Sequence, residues 1–236
     1  MRRVTVYRLG QVDYAEAHEL QNQLNRARQR KAIGDALLLL EHPPTVTLGR
    51  AAKEANLLLS RPALEARGFT VHDIGRGGDV TYHGPGQVVG YPILDLNPDR
   101  RDVRRYVGDL EETMIRTAST FGVRAGRVDK LNGAWVQDRK IGAVGVRISR
   151  WVTMHGFALN VSTDLSHFGV MVPCGIVGKD VTSLERELGE PVLQEDVLAA
   201  IESHFAEIFE AELVRPDAAP LSGVAPESYA PEAWRG

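Results

Sequence analysis

The sequence predicts a mixed α/β fold, a mixed sheet flanked by helices. Three observations carry that expectation. Strand-like runs and helical patterns interleave along the chain, and several strands follow one another directly, which is the order expected of α+β or mixed α/β proteins. Two segments space their apolar residues for one face of a helix: Val103, Val107, Leu110, Met114 and Ala118, and then Leu193, Val197, Ile201, Phe205 and Ile208. Finally, 236 residues with 43% hydrophobic content suffice for one sizeable core. The expected division is one domain over residues 1–213 and a Pro/Ala-rich, flexible tail over 214–236.

Taken in order, Val4 to Leu9 reads as a strand, and Asp13 is placed to cap a polar helix running to about Lys31. Ala36 to Glu41 is a short apolar run suited to a buried strand, ended by His42-Pro43-Pro44, after which Thr45 to Gly49 resumes an extended pattern. Pro62 to Arg67 predicts a short helix stopped by Gly68. Phe69 to Ile74 leads as a strand into a glycine-rich segment, Gly75 to Gln87, and Val88 to Leu96 is the strand beyond it. A helix is expected over Val103 to Phe121. Short β-rich stretches among small residues from Asn132 to Ser162 suggest an antiparallel meander. Thr182-Ser183-Leu184-Glu185 has the spacing of a capping box, and the last apolar stripe makes a closing amphipathic helix.

Composition narrows the function classes. A net charge of -3 gives no sign of a general nucleic-acid or membrane-surface binder. Arg100-Arg101 and Arg104-Arg105 read either as a solvated helix face or as a docking patch for an acidic partner. No apolar stretch approaches the roughly twenty residues of a membrane span. The first residues lack the apolar core of an export signal, and with a single cysteine the expected compartment is the reducing cytoplasm. The seven histidines and one cysteine show no zinc spacing, so neither a metal nor another cofactor is expected.

That cysteine, Cys174, lies between Pro173 and Gly175, which give the backbone a tight course able to present a sulfur to a cleft. It is either a packing residue or a reactive thiol. In the glycine-rich segment, Arg76-Gly77-Gly78 sets two residues without Cβ beside a cation, so the backbone can approach a ligand and donate N–H groups to it. Its spacing is neither that of a P-loop nor that of a dinucleotide fingerprint. His83 is a candidate general base for Cys174, with His155 and His167 as competitors. Lys140, opening a small apolar strand, is another: burial lowers an amine towards useful base strength, and a nearby cation favours a thiolate.

The run Arg76-Gly77-Gly78-x-Val80-Thr81-Tyr82-His83-Gly84-Pro85-Gly86-Gln87 followed by Gly90-Tyr91-Pro92 closely resembles the signature of the lipoyl(octanoyl) transferases. The likeness includes His42-Pro43-Pro44, Thr47-Leu48-Gly49-Arg50, Lys140-Ile141, Gly145-Val146-Arg147 with Ser149-Arg150-Trp151, His155 to Asn160, Pro173 to Ile176 and Thr182-Ser183-Leu184. Asp79, Gly142 and Asn132-Gly133-Ala134-Trp135 depart slightly from the pattern, at no residue with a chemical role.

The resemblance implies the fold of the biotin and lipoate protein ligase catalytic domain. It implies an acyltransferase of protein lipoylation that moves an octanoyl or lipoyl group from acyl carrier protein to a lysine of lipoyl domains. Cys174 would carry the acyl group as a thioester, and Lys140 would be its activating partner. The acceptors would be the lipoyl domains of 2-oxoacid dehydrogenase E2 subunits and the glycine-cleavage H protein, and the enzyme would act as a monomer. The substrate pocket would be lined by Arg76, Gly77, Gly78, Asp79, Val80, Thr81, Tyr82 and His83, by Ala143, Val144 and Gly145, and by Gly156, Phe157 and Ala158. The rival readings are an ATP-dependent lipoate or biotin protein ligase, a Cys–His thioester hydrolase, and a non-catalytic carrier-binding module.

Overall fold

The computed structural model describes residues 1–171 and 179–216. The chain opens with β1 (Arg2–Gln11) and turns at Asp13, whose carboxylate accepts from the N–H groups of Ala15 and Glu16 and starts α1 (Tyr14–Gln29). Two of the four N–H groups orphaned at a helix start are thereby satisfied. β2 (Asp35–Glu41), β3 (Thr45–Leu48), a short α2 (Arg61–Glu65) and β4 (Thr70–Asp73) follow. β5 (Val80–His83) and β6 (Gln87–Ile93) lead to α3 (Val103–Thr120), which Asp102 caps through the N–H groups of Arg104 and Arg105. Then come β7 (Gly126–Val128), β8 (Leu131–Val136), β9 (Arg139–Ser149) and β10 (Val152–Asn160), and, after residue 178, β11 (Asp180–Val181), α4 (Leu184–Leu188), α5 (Gln194–Phe209) and β12 (Ala211–Val214).

Among the described residues the main sheet runs β12-β1-β2-β6-β10-β9-β8-β7, with β11 added to β9. It is mixed: β12, β1 and β2 are parallel neighbours, whereas β2 to β6, β6 to β10 and the β8-β9-β10 meander are antiparallel. A second sheet, β4-β3-β5, stands beside it. Both faces of the main sheet are covered, so β2 is apolar without alternation. Leu37 and Leu39 join the core under α3 and α5, while Ala36, Leu38 and Leu40 join the core under α1. All four leucines are at most 2% exposed, each worth about 1.5–3 kcal/mol of burial. The mixed sheet flanked by helices is thus the architecture expected from the sequence.

Several expectations needed correction. Within the glycine-rich segment lies β5, a strand not expected there, which pairs with β3. Val103 opens α3 but stays 45% exposed, and Tyr106 takes the buried place instead. Leu193 is likewise 72% exposed, sitting before the first turn of α5. The cap of α4 is Ser183, whose hydroxyl accepts from the N–H of Arg186, so the box does not start at Thr182. Thr182 donates its hydroxyl to Glu187, and Glu185 accepts from the N–H of Val192. β12 adds a strand at the expected boundary, Val214 pairing with Thr5. The remainder of the expected tail, from residue 217 on, lies outside the described residues.

Candidate active site

A cavity of about 460 Å³ opens between the glycine-rich turn, the middle of β9 and β10, and the start of α3. It brings together Arg76 to Thr81 and His83 from one side, Ala143, Val144 and Gly145 from β9, and Gly156, Phe157 and Ala158 from β10. Lys140 lines it as well. Of the pocket residues expected from the sequence, Tyr82 is placed elsewhere. Its ring packs between Phe69 and Phe168, and its hydroxyl meets Nδ1 of His167 at 2.7 Å. Cys174 lies outside the described residues.

The turn holding Arg76 is built by backbone geometry. Gly78 takes φ +89°, a left-handed conformation that glycine adopts without strain, and its carbonyl accepts from the N–H of Ala51. The N–H of Gly77 donates to the carbonyl of Val146 at 3.0 Å, so that amide serves the fold rather than a ligand. Arg76 is 7% exposed and donates to the carbonyl and hydroxyl of Thr47, both at 2.9 Å. Asp79 accepts from Asn56 at 2.6 Å and from the N–H of Val80 at 2.7 Å, tying the same turn down.

Lys140 stands near the start of β9, and its carbonyl accepts from the N–H of Thr182 at 2.9 Å. β11 pairs in parallel beside it, Val181 with Lys140. Its ammonium lies 4.8 Å from the centre of the Trp135 ring, close enough for a cation–π contact.

His83 belongs to a fixed network. Asn160 donates through Nδ2 to the carbonyl of Thr182, so its Oδ1 accepts from Nε2 of Gln87. The remaining Oε1 of Gln87 faces Nδ1 of His83 at 2.8 Å, so that nitrogen donates and Nε2 keeps the lone pair. Burial holds this imidazole well below its ordinary range, with His42, Arg76 and His155 adding to the effect. His155 also lines the cavity, in the left-handed region at φ 56°, its N–H held by Gln21 at 2.8 Å. Burial first, then the His18 ring and the Arg76 and Arg147 cations, lower it to about 3. His42, bonded to the carbonyl of Val12 and to the hydroxyl of Tyr91, is lowered to about 4, chiefly by burial. Tyr14 packs between His42 and His72, 5.0 Å from each. His167, the other competitor for a general base, bonds Tyr82 away from the cavity.

Tyr14, Tyr91, Val107, Leu131 and Asn132 line the cavity without having been expected there. Tyr14 and Val107 arrive from α1 and α3, which no local spacing announces. Tyr91 belongs to the Gly90-Tyr91-Pro92 motif, and that motif is the sequence signal for it. Among the described residues no group of His, Cys, Asp and Glu is placed to hold a metal ion, and no helix is long and apolar enough to cross a membrane.

The chain matches the lipoyl protein ligase A/B catalytic domain over residues 13–206. It is 51% identical over 214 residues to the octanoyltransferase of Solibacter usitatus, covering 91% of this chain and 96% of that one. It is 49% identical over 226 residues to the octanoyltransferase of Myxococcus xanthus, covering 93% of this chain but 63% of that relative, so it spans less than two thirds of the latter's length. In fold it is similar to a lipoate-protein ligase A bound with ATP, with a TM-score of 0.72 at 15% identity over 95% of this chain and 92% of that one. It is also similar to the biotin protein ligase of Aquifex aeolicus in complex with biotin and ATP, with a TM-score of 0.54 at 12% identity over 87% and 70% of the two chains. At those identities the two structures speak for the fold, which is the ligase-type architecture expected from the sequence. The matched span and the two close sequence relatives, taken together, show that the chain belongs to the octanoyltransferase family, acyltransferases built on the lipoyl protein ligase A/B catalytic domain.

Proposed function

We propose that the chain transfers an octanoyl group from a thioester on acyl carrier protein to a lysine of a lipoyl domain, with Cys174 as the intermediate acyl carrier and Lys140 as its partner. The observation that carries this reading is the position of Lys140. It lines a largely apolar cavity, and its backbone is hydrogen-bonded to Thr182, on the stretch of chain that follows the Cys174 segment.

In the first step the Cys174 thiolate attacks the donor's thioester carbonyl, a new C–S bond forms, and the carrier's thiolate leaves. One thioester replaces another, so the step is nearly balanced. In the second, the acceptor ammonium loses a proton to Lys140, attacks the acyl-enzyme and expels the Cys174 thiolate. Over both steps a thioester and an ammonium become an amide, a thiol and one released proton. No ATP is consumed. Val80, Val144 and Phe157 offer apolar wall to the acyl chain, whose burial at about 0.8 kcal/mol per methylene supplies roughly 5 kcal/mol. The acceptors would be the lipoyl domains of 2-oxoacid dehydrogenase E2 subunits and the glycine-cleavage H protein.

Intact-mass spectrometry after incubation with octanoyl carrier protein tests this. The expected result is a gain of one octanoyl group, lost in Cys174→Ala and discharged by added lipoyl domain. An absent adduct, with activity from free octanoate and ATP, would move the assignment to an adenylating ligase. Release of free acid without a lysine acceptor would make it a hydrolase.

A further inference from the structure

We infer that Trp135 is a positioning residue for Lys140, presenting the amine to the cavity from a cradle built by β8. This rests on the reading of Lys140 given above. Trp135 and Lys140 are register partners across β8 and β9, so their side chains leave the sheet on the same face. Trp135 is 2% exposed, and its indole N–H donates to the carbonyl of Leu131 at 3.2 Å, which fixes the ring plane. The Lys140 ammonium stands 4.8 Å from the ring centre, and Trp135 itself does not line the cavity. The ring therefore supports the amine from behind without touching an acyl group.

The stem of Lys140 needs room, and Gly133 provides it. A Cβ there would stand 3.3 Å from Cε of Lys140 and collide with the carbonyl of Gly142, and φ is +120°. Glu111, 7% exposed on α3, holds that glycine by accepting from its N–H at 2.7 Å, and Arg127 steadies the carboxylate at 3.2 Å. The path runs Arg127, Glu111, Gly133, Lys140, with Trp135 closing the far side. An aromatic face attracts an ammonium, so the ring sets where the end of Lys140 sits.

The test is single-turnover discharge of octanoyl-enzyme by lipoyl domain, followed against lipoyl-domain concentration for the wild type, Trp135→Phe, Trp135→Leu and Lys140→Ala. Trp135→Leu is expected to slow discharge at saturating lipoyl domain by about three- to thirtyfold, with half-saturation unchanged. Trp135→Phe, which keeps an aromatic face, restores most of the rate. Should Trp135→Leu fail to fold, a chain with Trp151→Phe and Trp234→Phe, grown on fluorinated tryptophan, weakens the ring face at constant shape and slows discharge in the same way. A folded Trp135→Leu or a fluorinated chain with wild-type rate, beside an inactive Lys140→Ala, overturns the inference and leaves the reading of Lys140 standing. A Lys140→Ala that discharges normally overturns both.

Discussion

Acidification should unfold this protein through its buried imidazoles before its carboxylates titrate. His42 is fully buried and His155 is 2% exposed, and burial lowers them from 6.5 to about 4 and about 3. Their folded-state values lie below their unfolded ones. The stability they contribute is therefore present in full above pH 6.5 and is lost as pH falls, for His42 until about 4 and for His155 until about 3. Between pH 7 and pH 5 each loses about 2 kcal/mol, so the pair removes roughly 4 kcal/mol, and His83, shifted in the same direction, adds to it. That is a large share of a total of about 5–15 kcal/mol. Asp73, Asp95 and Glu187, held low by their partners, contribute only further down, while Asp109, raised by burial, opposes the histidines as pH falls. Urea unfolding at pH 7, 6 and 5 measures the slope, and His155→Asn, which tolerates the left-handed backbone, should reduce it by about 1.4 kcal/mol per pH unit. A free energy of unfolding that varies by less than about 1 kcal/mol from pH 7 to 5 would refute the argument.

Gly90→Ala would place a Cβ against the ring of Phe157, which must then move at the wall of the cavity. Competition between hexanoyl and octanoyl donors should shift about tenfold towards the shorter chain, and an unchanged ratio would remove Phe157 from the chain-length wall. Tyr82→Phe deletes the hydrogen bond to His167 and should cost about 1 kcal/mol by chemical denaturation while leaving kcat/KM within about threefold, because Tyr82 does not line the cavity. Asp13→Ala removes the cap of α1 and should cost about 1 kcal/mol in the same assay.

What was legible in the sequence was what is local. Asp13 and the apolar run of β2 behaved as their neighbours dictate, and the small residues from Asn132 to Ser162 folded as the meander β8-β9-β10. The edges were harder. β12 is four residues long and depends on the far end of the chain, pairing with β1, so no periodicity marks it. The capping box was misplaced by one residue because Thr182 and Ser183 are both competent caps. Hydrogen bonds to Glu187 and Arg186 decide between them. Arg76 to Thr81 and His83 reach one cavity because they are contiguous, whereas Tyr14 and Val107 reach it from helices remote in sequence. Tyr82 leaves the cavity lining for a local reason: alternation along β5 turns it away from Thr81 and His83, into the cluster with Phe69 and Phe168.

The acid lability and the proposed chemistry share one cause. Burial keeps His83 and His155 neutral on the wall of this largely apolar cavity, and stability at low pH is what that costs. The transfer proposed above releases a proton, and on that reading a group at the wall takes it up. His83 and His155, pushed below their ordinary range, are poor acceptors, and the Arg76 guanidinium does not give up its proton. Lys130 lines the cavity, but its side chain is 88% exposed and paired with Asp129. On the mechanism proposed above, Lys140 is the one that remains for this task among the amines and imidazoles of the described wall. It is tied by its backbone to the strand leading out of the Cys174 segment and supported behind by the Trp135 ring. On the proposed mechanism, the ammonium that Lys140 becomes on taking up that proton is held against an aromatic face beside the acyl chain rather than in bulk water.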